Sequence, residues 1–157
     1  MTPISDELAG FLESGVSVLV GTRDERCVPE AMRGAGARVD GNRRELTVWF
    51  PAANGRRTVE NLRTTKRVAV CFSAYEKHRS IQLKGEVLEV REGTADDRAF
   101  VEQYRSRLAS EWGILGVAPR IVLRFDVWPC FSVRFRVERV FVQTPGPGAG
   151  APLGGAR

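Results

Sequence analysis

Residues 45–74 read ELTVWFPAANGRRTVENLRTTKRVAVCFSA and place a helical pattern between two strand patterns. The apolar run ELTVWF and the run KRVAVCFSA each predict a strand, and a turn of small residues follows the first of them. The helical pattern RRTVENLRTT opens on Arg56 and Arg57. Arginine pairs at helix starts are usually hydrated surface, but free backbone N–H groups and the helix dipole also suit an anion there. Both interpretations stay open on this stretch alone.

The elements on either side of this block follow from capping and periodicity. Upstream, ISDELAGFLES predicts a helix over about residues 5–14 that Ser5 caps and Gly15 ends. VSVLVGTR and VPEAMRGAGARV predict strands, and the Asp-Gly pair of DGNR predicts a hairpin turn. Downstream, RSIQLKGEVLEVRE predicts a long curved strand and TADDRAFVEQYRSRLASEWG a helix that Thr94 caps. PRIVLRFDVWPCFSVRFRVERVFV predicts a return to strand.

This order of elements bounds the fold. Six strands with two or three helices predict a mainly β, α+β protein whose antiparallel strands form a closed or partly closed barrel. A chain of 157 residues with 43% hydrophobic content predicts one domain, which we place at residues 1–142. Residues 143–157 form a tail that is too rich in glycine and proline for regular structure. We nevertheless expect 143–150 to be ordered, because two prolines restrict the unfolded chain.

Composition excludes several function classes. Cys27, Cys71 and Cys130 are widely separated and His78 is the single histidine, so we expect neither a disulfide framework nor a metal site. The N-terminus lacks a cationic head before an apolar stretch, and the chain lacks an apolar run long enough to span a membrane. We therefore expect a cytoplasmic protein with no membrane partner.

The net charge of +5 is concentrated in the middle of the chain, where residues 31–90 carry twelve basic and six acidic groups. These cations alternate with apolar residues along predicted strands and have no aromatic stacking partners, so we expect no nucleic-acid partner. A small anionic ligand suits the pattern. In AMRGAGAR, Arg33 precedes Gly34 and Gly36 in mid-strand, which indicates either a bulge at a barrel corner or a flat ligand close to the backbone.

Several segments together resemble the FMN-binding split barrels related to pyridoxamine 5'-phosphate oxidase. The resemblance covers nearly the whole chain, and the tail VERVFVQTPGPGAG is similar to that of an uncharacterised subgroup. The matching segments are PEAMR (Pro29 to Arg33), the strand end Phe50 and Pro51, the block RRTVENLRTTKRVAV, and RSIQLKGEV (Arg79 to Val87). The resemblance implies a six-stranded antiparallel split β-barrel with flanking helices.

The resemblance also implies a cofactor, FMN, and a set of residues that bind it. Arg56, Arg57 and Thr58 match the positions that hold the phosphate, and Arg33 with its backbone neighbours matches the contact to the isoalloxazine ring. Ser80, Gln82 and Lys84 share one face of their strand by alternation, where the family's strand faces the flavin. The full implied set is Arg33, Gly34, Phe50, Pro51, Arg56, Arg57, Thr58, Ser80, Gln82 and Lys84. A Gly34→Val variant is then expected to fold but to exclude the flavin.

The resemblance further implies an oxidoreductase with a small-molecule substrate, and a homodimer with FMN at its interface. We expect the tail to pack along that interface, because alternating glycines and prolines let the backbone pass close to another surface. No catalytic residue is identified, because the flavin performs the electron transfer. Thr58 replaces a basic residue of the vitamin-converting oxidases, and their C-terminal Arg-x-His pattern is missing. Pyridoxamine phosphate is therefore not the expected substrate. The alternatives are a non-catalytic binding module that holds flavin, haem or a deazaflavin, and a nucleic-acid-binding barrel. For haem, His78 is the only histidine available as a ligand.

Overall fold

The computed structural model describes residues 4–153. The helices are α1 (Asp6–Glu13), α2 (Arg56–Thr65), α3 (Ala95–Ile114) and α4 (Pro119–Leu123). The strands are β1 (Ser17–Arg23), β2 (Pro29–Arg33), β3 (Gly36–Val39), β4 (Glu45–Pro51), β5 (Arg67–Ser73), β6 (Ser80–Glu92) and β7 (Cys130–Val142). Ser5 caps α1 and Thr94 caps α3, as predicted. No helix within the described residues is long and apolar enough to cross a membrane.

All seven strands belong to one antiparallel sheet in the order β2-β1-β5-β6-β7-β4-β3. The sheet closes on itself where the chain leaves β2, beside β1, and enters β3, beside β4. At that corner the Gly34 N–H donates to the Val18 carbonyl oxygen (2.9 Å) and the Ala35 N–H donates to the Trp49 carbonyl oxygen (2.7 Å). The fold is a mainly β, α+β split barrel, which confirms the predicted class.

The predicted number of strands was six, and the difference lies in VPEAMRGAGARV. This segment is two strands because it changes partners at Gly34. A Cβ at Gly34 would lie 2.7 Å from Cγ1 of Val18, and one at Gly36 would lie 3.4 Å from the Tyr104 side chain of α3. Val18 and α3 are thus the objects that approach these glycines closely, which supports the barrel-corner interpretation.

The segment 119–123 was predicted as strand and is helix α4 instead. Pro119 stands at its first position, where a missing N–H costs nothing. Val122 is buried against Leu108 and Ala109 of α3, while Ile121 and Leu123 on either side are exposed. That alternation over three residues imitates a strand, so periodicity alone misidentified this short helix.

The glycine-rich segment after β7 folds back on its own chain. Beyond the end of β4, the free edge of β7 receives hydrogen bonds from residues 150–153: the Gly150 N–H donates to the Val142 carbonyl oxygen (2.7 Å) and the Leu153 N–H to that of Val140 (2.8 Å). The Ser80 N–H donates to Thr144 Oγ1 (3.0 Å). Contact between this segment and a second subunit stays a prediction, and residues 154–157 lie outside the described part of the chain.

Candidate cofactor site

The start of α2 has unusual electrostatics for a helix N-terminus. Gly55 is the N-cap residue, so no side chain accepts from the first N–H groups, and the first turn contains no acidic residue. Arg56 and Arg57 occupy the first two helical positions, and both are exposed. Free N–H groups, the positive end of the helix dipole and two guanidinium groups therefore meet at one place. This arrangement suits an anion with several oxygen atoms.

The two arginines lie beside different surfaces. Arg57 extends towards β2, where its Nε lies 3.5 Å from Oε2 of Glu30. Arg56 instead lines a groove of about 570 Å³ between α2 and the start of β7, together with Arg63 and Phe131. Side chains at consecutive helix positions diverge, so both can reach an anion only if it sits on the helix axis at the N-terminus.

Thr58, the third predicted phosphate residue, is fully buried. Its Oγ1 has no hydrogen-bond partner among the described residues. The predicted strand end behind the helix start is buried as well: the Phe50 ring is in the core, with its centroid 6.1 Å from that of Phe131, and Pro51 is half-buried. Phe50 therefore packs in the core behind the start of α2, and its side chain is not exposed to a ligand.

The outward side of strands β2, β1, β5, β6 and β7, which we call the outer sheet face, carries the remaining predicted residues except Gly34, which lies at the barrel corner. Its side chains alternate with buried ones, as Ser80, Gln82 and Lys84 do with Ile81 and Leu83. Strand pairing aligns one row across the face: Arg33, Leu19, Cys71, Gln82 and Phe141. The next row is Ala31, Gly21, Ala69, Lys84 and Arg139. Residues distant in sequence are thus brought to one surface.

A cleft of about 780 Å³ opens on this face at the end nearest α2. Its floor contains the small residues Gly21, Ala31 and Ala69, which form a flat surface without long side chains. Around the floor lie four cations, Arg23, Arg67, Lys84 and Arg139, and two carboxylates, Glu30 and Glu138. Because Glu30 also contacts Arg57, the cleft and the start of α2 are neighbouring parts of one surface.

Lys84 is the only residue of the implied set that lines this cleft. Its Nζ lies 5.0 Å from the Phe141 ring centroid, and the guanidinium carbon of Arg139 lies 5.6 Å from the same centroid. Arg67 Nη1 is paired with Glu138 at 2.8 Å. Sequence reasoning missed Arg67 and Arg139, because only the register of β5, β6 and β7 reveals that they surround Lys84.

Arg33 lies one row farther from α2, and Ser17 and Trp112 hold it. Its Nη1 donates to Ser17 Oγ (3.0 Å), and its guanidinium carbon lies 5.6 Å from the Trp112 ring centroid. The Trp112 ring in turn meets the Tyr75 ring edge-on, with 5.5 Å between centroids. Trp112 lies in the last turn of α3 and Tyr75 follows β5, so no local pattern could have associated them with Arg33.

The other titratable groups near this face offer no metal site. Burial raises the pKa of the Cys71 thiol, which keeps it protonated at neutral pH. His78 is exposed in the turn between β5 and β6. Within residues 4–153 there is no group of three or more histidine, cysteine, aspartate or glutamate side chains that could hold a metal ion.

A comparison of the sequence with known protein families identifies the family of this chain. The profile of the pyridoxamine 5'-phosphate oxidase family matches residues 4–128, which is most of the chain. The chain belongs to the pyridoxamine 5'-phosphate oxidase family. No curated relative matches it in sequence.

Solved structures similar to this pyridoxamine 5'-phosphate oxidase family member share its fold at low identity. HupZ of Group A Streptococcus superposes with a TM-score of 0.56 at 18% identity, covering 94% of this chain and 98% of that one. A protein named F420 reductase gives 0.55 at 15% identity, covering 83% and 93%. An FMN-binding protein from Syntrophomonas wolfei gives 0.52 at 13% identity, covering 89% and 88%. These similarities confirm the split barrel.

Proposed function

We propose that this chain binds FMN and uses it as an oxidoreductase on a small substrate other than pyridoxamine phosphate. The observation that supports this most is the uncapped, acid-free start of α2 beside a cationic cleft with a flat floor. A ligand with a phosphate at one end and a planar ring at the other matches both parts. Family membership makes FMN the first candidate, and the name of the Syntrophomonas wolfei neighbour agrees with it.

The phosphate end would lie on the axis of α2. There the N–H groups of the first turn donate to phosphate oxygens, and Arg56 and Arg57 add charge-assisted contacts. Arg57 would exchange its contact with Glu30 for the phosphate, or bridge the two. The buried Thr58 hydroxyl, which has no partner among the described residues, is a further donor near this helix start.

The ring would lie over Gly21, Ala31 and Ala69, where no long side chain obstructs a flat molecule. FMN supplies two-electron chemistry when bound, and the protein contributes position, electrostatics and protection from water. Lys84 places positive charge beside the floor, which favours negative charge on a bound ring. Arg33, held by Ser17 and Trp112, supplies a second cation one row away.

A second subunit would complete the site. The outer sheet face is broad, and Leu19 of its strand β1 is 46% exposed. Open sheet faces and edges of small barrels are commonly covered by a symmetric partner. We propose a homodimer in which this face is buried and the cleft becomes a closed pocket at the interface.

Mass spectrometry of the small molecule released when the purified protein is denatured tests this function. We expect the mass of FMN, and protein that is yellow before denaturation. Release of riboflavin alone would contradict the role given to α2. A colourless protein that also fails to take up added FMN would refute the proposal.

A deazaflavin cofactor is the second candidate, because one structural neighbour is named an F420 reductase. The same measurement separates the two by mass. Haem is a weaker alternative on this chain: His78 is exposed on a turn and lies outside the cleft. A Soret band in the purified protein would nevertheless identify haem as the bound cofactor.

A further inference from the structure

The segment between α3 and β7 exposes an unusual amount of apolar surface. Of eight large hydrophobic residues that are exposed in residues 4–153, five fall between 114 and 125. They are Ile114 (62% exposed), Leu115 (53%), Ile121 (47%), Leu123 (47%) and Phe125 (63%). We call these five residues the α3–α4 patch. Single exposed hydrophobic residues need no explanation, but a contiguous group marks an interaction surface.

The segment that carries the patch is held firmly from beneath. Val122 is buried against Leu108 and Ala109 of α3, so α4 is docked through its inner side. Arg105 Nη2 donates to the carbonyl oxygens of Leu123 (3.0 Å) and Phe125 (2.6 Å), which fixes the chain after α4. The apolar side chains therefore point outward from an anchored backbone.

The charges within the segment that carries the patch are of one sign. Residues 112–125, WGILGVAPRIVLRF, contain two arginines and no acidic residue. Arg120 and Arg124 are both exposed, and neither forms an ion pair with a described residue. An acid flanks the segment at each end: Glu111 is half-buried, and Asp126 accepts from the Trp128 N–H (3.1 Å). A partner for this surface must accept apolar side chains and neutralise two cations.

We propose that the α3–α4 patch docks the protein on an anionic lipid surface. Apolar side chains that enter the acyl boundary, with arginines at the level of the headgroups, are the features of an interfacial segment. A two-fold contact between copies of the patch suits it less, because Arg120 and Arg124 would meet their own counterparts without an acid in the segment to balance them. The expectation of no membrane partner rested on the lack of a spanning segment, which does not address attachment to the surface.

Sedimentation of the full-length protein with vesicles tests this proposal. One set of vesicles is phosphatidylcholine, and the other is phosphatidylcholine mixed with phosphatidylglycerol. We expect binding to the mixed vesicles that weakens as salt is raised, and little binding to phosphatidylcholine alone. A Leu123→Ser/Phe125→Ser variant should lower the partition coefficient about tenfold or more, and Arg120→Gln/Arg124→Gln should remove the preference for the anionic lipid.

A matched control is Val28→Ser/Leu153→Ser, which removes two exposed apolar side chains outside the patch. It should bind vesicles as the parent does. Failure of the parent to bind either vesicle, or equal loss of binding in the control, would overturn the proposal. Sedimentation velocity without lipid adds a further outcome: if the patch variant dissociates an oligomer and the parent ignores vesicles, a second copy covers the patch and the lipid proposal is wrong. Loss of FMN in a variant bears on the proposed cofactor site, whereas vesicle binding alone decides the lipid proposal.

Discussion

The two longest helices begin in opposite ways. At the start of α3, Thr94 Oγ1 accepts from the Asp97 N–H (3.3 Å) and the Asp97 carboxylate accepts from the Thr94 N–H (2.8 Å), which forms a complete capping box. Arg91 donates to the same carboxylate. At the start of α2, Gly55 offers no side chain, the first turn has no acid, and the Thr58 hydroxyl has no partner among the described residues.

The difference indicates what each terminus is for. The protein meets the hydrogen-bonding needs of α3 from its own residues, which stabilises the helix and leaves nothing for a ligand. At α2 the first N–H groups have no side-chain acceptor. Arg56 and Arg57 add positive charge there, where acidic residues usually balance the helix dipole. Such a start costs stability in the free protein, and this cost is recovered when an anion binds. Mutations at the start of α2 should therefore lower ligand affinity with little change in stability. Mutations at the start of α3 should lower stability and leave ligand affinity unchanged.

The largest effect is expected from Arg56→Ala/Arg57→Ala at α2. Each charge-assisted contact contributes about 1.5 to 3 kcal/mol, so FMN affinity should fall about a hundredfold or more. The loss of Arg57 also leaves Glu30 unpaired beside the phosphate, which adds repulsion. Stability without ligand should change little. Quenching of flavin fluorescence on titration measures the affinity.

Two comparisons make this measurement specific. Riboflavin lacks the phosphate, so the variant and the parent should bind it equally. Arg63→Ala removes an exposed arginine from the last turn of the same helix and should keep FMN affinity within a few-fold. If the double variant binds FMN as tightly as Arg63→Ala does, the phosphate does not lie at the start of α2.

The next effect in size concerns the stability of α3. Asp97→Ala removes the capping box and leaves Arg91 without its partner, and the Asp97 side chain is only 5% exposed. We expect the free energy of unfolding to fall by about 2 to 3 kcal/mol, with FMN affinity per folded molecule unchanged. Urea unfolding monitored by circular dichroism gives the first quantity. A loss below about 0.5 kcal/mol would show that the start of α3 is not the structural terminus we describe.

The pH dependence follows from the same carboxyl group. Burial acts to raise the pKa of Asp97, but hydrogen bonds from Arg91 and Thr94 outweigh it and lower the pKa from 3.8 to about 2. A lowered folded-state pKa stabilises the protein above pH 3.8, and this contribution of about 2 kcal/mol disappears as the pH falls towards 2. The stability difference between the parent and Asp97→Ala should therefore be constant near neutral pH and shrink below pH 4. A constant difference down to pH 2 would contradict the lowered pKa.

Sequence patterns predicted the features that depend on residues close together along the chain. The bounds of α2, the caps of α1 and α3, and the shared face of Ser80, Gln82 and Lys84 all follow from local spacing. The surroundings of those residues depend on register and on the packing of distant elements. Arg139 reaches Lys84 only through the pairing of β6 with β7, and Trp112 reaches Arg33 only because α3 ends above β2.

Gly34 shows how a correct local signal can lead to a wrong expectation. The sequence indicated a close approach to its backbone, and a valine there was expected to fold normally while excluding the flavin. A side chain at Gly34 would instead lie 2.7 Å from Cγ1 of Val18, inside the barrel. We now expect Gly34→Val to destabilise the protein. Only the closure of the sheet, which a strand pattern does not contain, reveals which side of the glycine is occupied.

The smallest effect, and the sharpest test of the comparison, comes from two threonines. Thr58→Val keeps the shape of a buried side chain and removes a hydroxyl that has no partner among the described residues. Because an unpaired buried hydroxyl is costly, the ligand-free variant should be as stable as the parent or up to about 1 kcal/mol more stable. Thr94→Val removes a hydroxyl that accepts from Asp97, and it should cost about 1 kcal/mol. FMN affinity should fall several-fold in Thr58→Val alone, because the buried hydroxyl then no longer donates to the phosphate. If both variants lose the same stability and neither changes FMN affinity, the two helix starts serve the same structural purpose and the anion site must be sought elsewhere.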